Sequence, residues 1–452
     1  MKIVRLLFIA CVAIVSFCCT STPKVEPLYS EKWDVVETYI RKTWPEFVET
    51  KAPLPKPYLY GLNPGTLYYG DLYFHNEGLM RHGYWEIAKN NLECMIFQID
   101  SLGFIPTAIH WGTDRSQTPC FSISVRRYYE LSLEKDKTWL KKAYDAVLKE
   151  YAFWTNMDGN NIENHSTSIP GLQRYGHHAD TASLIRFYER VCAGRFGLSR
   201  DTAEHVKIEI ASHRLAEAES CMDFTPRFEG RCMEYIPVGL NCCLWGYETD
   251  LAFYEKELGI ESNHDWSQKA RERAALIDQY LWSEERGIYL DYDFVNKRHS
   301  PVASMAALMP LHFGFASKHR AKQVKNNLHL FDSDGGMVVC EISPQKIRYQ
   351  WGHDAVWAPI QQIGMEAMLR YGFHREAETI ALKWLNTVTK NYVSPQPATH
   401  RPFRYGDGTR HPGFLWEKYT RSGDINDFEY PCSFMCGWTA SAYLVALDIV
   451  RK

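Results

Sequence analysis

A dominant charge is missing from this chain. Its 51 Lys and Arg against 54 Asp and Glu leave a formal net charge of −3 over 452 residues. That balance gives no general pull toward nucleic acid or an anionic membrane surface. A cysteine framework is missing too. Three of the 13 Cys lie in the first 19 residues, and the other ten show neither paired Cys-x-x-Cys nor zinc-ligand spacing. Those ten read as small buried apolar residues, with one or two disulfides left open. There is no His-Glu-x-x-His, so neither a metal site nor a cofactor is expected. No Pro/Ser/Gly-rich linker divides the chain, and residues 31–452 read as one domain. The one conspicuous apolar run, residues 6–17, is too short to span a bilayer.

That run does something else. Lys2 and Arg5 precede it, and Cys18-Cys19-Thr-Ser-Thr-Pro23 follows. The arrangement resembles a bacterial lipoprotein signal. Phe17 is bulky for a cleavage position, and simple secretion is the other reading. Residues 1–19 are expected to be the signal and 20–30 a tether. The protein would then leave a bacterial cytoplasm for the periplasm or cell envelope. It would touch membrane only through a lipid on Cys18 or Cys19.

Aromatics are abundant, with 14 Trp and 27 Tyr. Most are explained by core packing, but flat rings also stack on the C–H faces of sugars. Helical spacing begins at Trp33, Val36, Tyr39, Ile40 and Trp44. It recurs at 85–102, 139–157, 181–193, 236–258, 266–281, 302–311, 351–371 and 376–391. One short strand is expected at 287–293. Long Gly-, Pro-, Asn- and aromatic-rich loops lie between, at 52–70, 103–120, 158–180, 219–234, 332–350 and 396–433. Loops this long in a compact chain usually carry function. About a dozen helices joined by alternating short and long loops suit an all-α (α/α)6 barrel with its long loops gathered at one end. The Asn-rich stretch 158–164 lacks the ligand order of a calcium loop and reads as a solvated turn.

Two acidic residues stand in aromatic, arginine-containing settings: Asp223 in Met222-Asp-Phe-Thr-Pro-Arg-Phe228, and Glu417 in Phe414-Leu-Trp-Glu-Lys-Tyr419. Acid/base cleavage of a glycosidic bond needs one protonated carboxyl and one ionised carboxylate. Read alone, Asp223 is equally a helix cap or a partner of Arg227, and Glu417 a surface carboxylate. Other clusters stand around them in chain order. They are Tyr68-Tyr-Gly-Asp71, Arg115-Ser-Gln-Thr-Pro119, Gln350-Trp351 with Trp357-Ala-Pro359, Glu429-Tyr-Pro431 and Gly437-Trp-Thr439.

Together, over residues 55–450, these stretches resemble the trehalase family, glycoside hydrolase family 37. The resemblance implies an inverting hydrolase of trehalose or a similar α-linked glucoside, with Asp223 as general acid and Glu417 as general base. The substrate, a disaccharide or small oligosaccharide, would meet Tyr69, Asp71, Arg115, Ser116, Gln117 and Arg174. Arg227, Gln350, Trp351, Trp357, Glu429 and Trp438 would complete the site. Arg115 and Arg227 would hold hydroxyls and tune the two carboxyls. Inversion implies carboxyls about 6.5–9.5 Å apart, with room for a water.

Several family features are absent. Leu62-Asn-Pro-Gly65 replaces Gly-Gly-Arg-Phe, Thr107 replaces an Asn, and His177-His-Ala-Asp180 stands where Arg-Pro-Glu would follow Arg174-Tyr175. Tyr-Trp-Asp has become Tyr69-Gly70-Asp71, and Gly-Trp-Asp has become Cys221-Met222-Asp223. Substrate choice therefore stays more open than reaction class. The wording around Asp223 also looks like the family 63 α-glucosidases and mannosylglycerate hydrolases. A sugar-binding lipoprotein that has lost catalysis is the reading from a different class.

Overall fold

The computed structural model describes residues 25–51, 53–109, 111–157, 159, 165–345, 347–395, 412–433 and 437–452. The signal, the start of the tether and nearly all of the Asn-rich turn lie outside these residues. Among the described residues no helix is long and apolar enough to cross a membrane.

The helices are α1 Trp33–Thr43, α2 Leu72–Arg81, α3 Trp85–Leu102, α4 Phe121–Leu131, α5 Lys137–Thr155, α6 Thr181–Phe187, α7 Ala193–Arg195 and α8 Glu204–Glu219. Then come α9 Val238–Leu258, α10 Trp266–Tyr280, α11 Met309–Phe313, α12 Lys318–Asn326, α13 Ala358–Arg370, α14 His374–Val393 and α15 Gly437–Val450. Helices α2, α4, α9, α11, α13 and α15 each pack on the next, and α15 packs on α2, so the six close a ring. Helices α1, α3, α5, α10, α12 and α14 form the outer layer. The alternation of inner and outer helices is the (α/α)6 barrel. Only α6–α8 fall outside it, as an insertion between α5 and α9.

Helix boundaries follow local chemistry. The Asp136, Asp265 and Ser317 side chains accept the backbone N–H groups of Trp139, Gln268 and Arg320 and so start α5, α10 and α12. Each cap contributes about 1 kcal/mol. Gly103 and Gly259 end α3 and α9 in the left-handed conformation. The expected helix at 351–371 begins only at Ala358. Residues Ala355–Trp357 are instead a strand paired antiparallel with Lys418–Thr420. The expected helix at 302–311 is a 3-10 turn, Met305–Leu308, running into α11. The strand expected at 287–293 is two, Ile288–Tyr289 and Tyr292–Asp293, each pairing elsewhere. All nine described cysteines are free thiols.

Five of the six inner helices are entered from one of the long loops. Asp71 immediately precedes α2, the Arg115 loop leads into α4, the Asp223 segment into α9 and the tryptophan loop into α13. The Glu417 segment leads toward α15. All these helices therefore present their N-termini, and their loops, to the same end of the barrel.

Candidate active site

The loops enclose one cavity of about 510 Å³ that runs into the barrel axis. Asp223 and Glu417 both line it, with Asp71, Arg115, Gln117, Arg227, Gln350, Trp351, Trp357 and Trp438.

Glu417 is fixed from several sides. The residue after it enters the strand Lys418–Thr420, whose Lys418 sits opposite Trp357. Its own N–H donates to the Ser433 carbonyl at 3.0 Å. Its carbonyl accepts the Trp438 indole N–H at 3.2 Å. The side chain is 3% exposed, which excludes a surface carboxylate. Tyr430 Oη donates to Oε1 at 2.8 Å, and Oε2 has no hydrogen-bond partner among the described residues. Burial pushes the Glu417 carboxyl up; the Lys418 charge and the Tyr430 hydroxyl pull the other way. Lys418 is itself buried, 3.3 Å above the Tyr430 ring, and donates to the Phe428 carbonyl at 2.9 Å.

Asp223 lies between two left-handed residues, Cys221 and Phe224, both at φ 62°. Non-glycine residues there carry strain of order 1 kcal/mol, which surrounding contacts must hold. Glu217, near the end of α8, accepts the Thr225 N–H at 2.6 Å, and the Phe224 carbonyl accepts the Trp351 N–H at 3.3 Å. Burial pushes the Asp223 carboxyl up. Arg195, then Arg115 and Lys418, draw it back. Asp223 is not the partner of Arg227, whose Nε stands 2.9 Å from Asp291. Arg227 reaches the cavity wall, but the cation that acts most on Asp223 is Arg195, not Arg227.

A third carboxyl, Asp71, is 4% exposed. Burial, and then the charge of Glu417, push it up to about 8. His75, one turn along α2, has Nε2 at 3.6 Å from it, and burial pushes that imidazole down to about 3. Both shifts favour the neutral forms of Asp71 and His75 near neutrality. Gln117 Oε1 accepts the Gly70 N–H at 2.8 Å, and Arg115 is paired with Asp114 at 2.6 Å. Trp351 and Trp357 stack at 4.1 Å with an interplanar angle of 4°, and Trp438 meets both edge-on. Together they make a flat apolar wall.

Four expected contacts fall elsewhere. Tyr69 is fully buried behind the wall, its hydroxyl donating to Glu150 and accepting from the Cys120 and Phe121 N–H groups. Ser116 is also fully buried. Its hydroxyl donates to the Ile105 carbonyl and its N–H to Glu219, which also accepts the Gly176 N–H, so Glu219 ties two loops to α8. Arg174 spends its guanidinium on the Ser166 and Tyr175 carbonyls. Glu429 does not line the cavity but lies 3.2 Å from Arg195. Burial pushes its carboxyl up to about 7. Sequence reasoning did not assign Arg195, Lys418 or Tyr430. The last two stand inside motifs already singled out, so their neighbours were the signal. Arg195 lies in no motif.

Among the described residues no group of three or more His, Cys, Asp or Glu is placed to hold a metal ion. The arrangement supports acid/base work: two carboxyls of raised proton affinity share a cavity walled by tryptophan, and among the described residues Glu417 Oε2 has no hydrogen-bond partner.

The trehalase family model matches residues 49–451. The cytosolic neutral trehalase of Kluyveromyces lactis is 28% identical over 426 residues, which are 85% of this chain and 55% of that protein. The periplasmic trehalase of Escherichia coli O1:K1 / APEC is 27% identical over 444 residues, 92% of this chain and 73% of that one. The chain therefore spans little more than half the length of the fungal relative. The solved neutral trehalase Nth1 of Saccharomyces cerevisiae has the same fold. It superposes with a TM-score of 0.69 at 23% identity, covering 91% of this chain and 79% of that one.

Proposed function

The chain belongs to the trehalase family, and from that membership we propose that it hydrolyses α,α-trehalose by single displacement with inversion. The observation that carries this reading is Glu417: buried, anchored through Oε1 by Tyr430, and without a hydrogen-bond partner at Oε2 among the described residues, in the cavity that Asp223 shares. Asp223 gives its proton to the glycosidic oxygen as the C–O bond breaks. Glu417 takes a proton from the water that attacks the anomeric carbon from the opposite face. Asp71, Arg115, Gln117 and Gln350 hold sugar hydroxyls, and the Trp351–Trp357 stack takes an apolar ring face. Asp71, protonated below about pH 8, donates rather than repels the ionised base beside it.

The export reading accompanies this one. A relative bears the name periplasmic trehalase, and residues 1–19 have the layout of an export signal. We place the enzyme in the periplasm or cell envelope, held there by a lipid on Cys18 or Cys19.

The test is glucose or mannose release from a panel of α-linked glucosides and mannosides that includes trehalose and mannosylglycerate. Trehalose should be turned over with the highest kcat/KM. Preference for a mannoside would move the reading to the family 63 type of substrate. Binding without release from any of them would sink hydrolysis and leave a sugar-binding protein.

A further inference from the structure

The inserted hairpin between α5 and α9 reaches the catalytic cavity. Its helix α6 passes through a π-helical turn, Tyr188–Cys192, into α7, which ends at Arg195. One face packs Leu184, Tyr188, Cys192 and Ala193 against Ala211 and Leu215 of α8, a small core apart from the two large ones. The other face presents Phe187, Val191 and Arg195 to the cavity. Single π turns inside helices recur at functional sites.

Arg195 is held by three contacts at once. Nη2 stands 3.2 Å from Glu429 Oε2, Nη1 donates to Gln350 Oε1 at 3.1 Å, and Cζ lies 4.0 Å from the centroid of the Phe224 ring. Phe224 is the residue after Asp223. Glu429 is itself held in a left-handed backbone, φ 71°. The guanidinium therefore joins three segments around the proton donor: the Asp223 segment, the tryptophan loop and the loop after Glu417. An exposed ion pair contributes little, but this one is less than a quarter exposed at the arginine and nearly buried at the glutamate.

We propose that Arg195 is the positioning residue of the general acid, fixing the Asp223 segment against Glu429 and Gln350 and bringing a positive charge to the cavity that both line. The inference rests on the assignment of Asp223 as proton donor. Several other groups face Asp223. The cations are Arg115 and Lys418. The acids are Glu417, Glu429, Glu217 and the Cys221 thiol, with the Tyr430 hydroxyl beside them. Among the cations, Arg195 has the largest effect and favours the ionised form. Removing its charge lets Asp223 keep its proton to higher pH. In a bell-shaped profile the alkaline limb reports loss of the proton from the acid, so that limb moves up.

The experiment is the pH dependence of kcat/KM for the wild type, Arg195→Lys, Arg195→Met and Arg195→Gln, with thermal melts of all four. Arg195→Met and Arg195→Gln should move the alkaline limb up by about one pH unit and lower kcat roughly tenfold or more. Arg195→Lys, which keeps the charge but not the fork, should lower kcat and leave the limb in place. Limbs that coincide with the wild type in a folded Arg195→Met or Arg195→Gln overturn the inference while the hydrolase reading stands. A wild type that cleaves no α-glycoside overturns that reading, and this inference with it.

Discussion

The sulfur of Cys221 stands 2.7 Å from the point where a Cβ on Gly70 would lie. These two positions are among those where the chain departs from the trehalase pattern, which carries Trp in place of Gly70 and Gly in place of Cys221. The thiol of Cys221 fills the space that a side chain at position 70 would enter. The left-handed backbone at Cys221, φ 62°, explains why glycine belongs there in the pattern. Gly70→Ala alone should destabilise by about 1–3 kcal/mol through overpacking. Cys221→Gly alone should be close to neutral, since relief of strain offsets lost packing. The double variant should recover about 1 kcal/mol relative to the sum. Strict additivity in denaturant melts would contradict the pairing.

Asp223→Asn and Glu417→Gln should each lower kcat by roughly 10²–10⁴-fold while leaving the melting temperature unchanged or raised. Both carboxyls are pushed up by burial, so a neutral amide of the same shape removes a desolvation cost from the fold. Near-native rates in either variant, read from glucose release beside a normal melt, would remove that residue from its role.

Tyr430→Phe isolates the base. Its hydroxyl donates to Glu417 Oε1 at 2.8 Å and favours the ionised carboxylate. Without it Glu417 holds its proton to higher pH. The acid limb of kcat/KM should therefore move up, with the alkaline limb unmoved. A shift of the acid limb to lower pH would contradict the geometry.

Stability should depend on pH in a definite sense. Burial raises Asp71 to about 8 and Glu150 and Glu429 to about 7. Near neutrality the native state thus holds protons that the unfolded chain has lost. That contribution is fully present below the carboxyls' unfolded values and is lost as pH rises through 7–8. Buried His75 and His312 are pushed down to about 3 and 4. They oppose it once the unfolded chain begins to bind protons, near about pH 6.5. The melting temperature should climb as pH falls from 8 toward about 6.5 and then level or turn over. A melting temperature that rises steadily from pH 6.5 to 8 would show these carboxyls to be ionised in the fold.

Five of the six outer helices and stretches of three inner ones, α9, α11 and α13, are visible in the sequence, while the inner helices α2 and α15 are hidden for a physical reason. Helix α3 has a polar side and shows its period. Helix α2 is buried from Leu72 to Met80, polar residues included, and α15 is apolar on nearly every face, so neither displays an amphipathic stripe. Asp223 and Glu417 were legible because neighbouring residues in the chain are also neighbours in the site. Arg195 was not, because its partners Gln350 and Glu429 lie more than 150 residues away and nothing beside it in the sequence marks a cavity. Tyr69 and Ser116 sit within recognisable motifs yet serve the wall from behind, which chain order alone cannot distinguish from facing the sugar.

The central claim is a single displacement with Asp223 giving and Glu417 receiving a proton. Proton NMR of the first minutes of trehalose hydrolysis tests it directly. Inversion predicts α- and β-glucose appearing in equal amounts before mutarotation, the β anomer from the attacked ring and the α anomer from the leaving one. Initial release of α-glucose alone would contradict it.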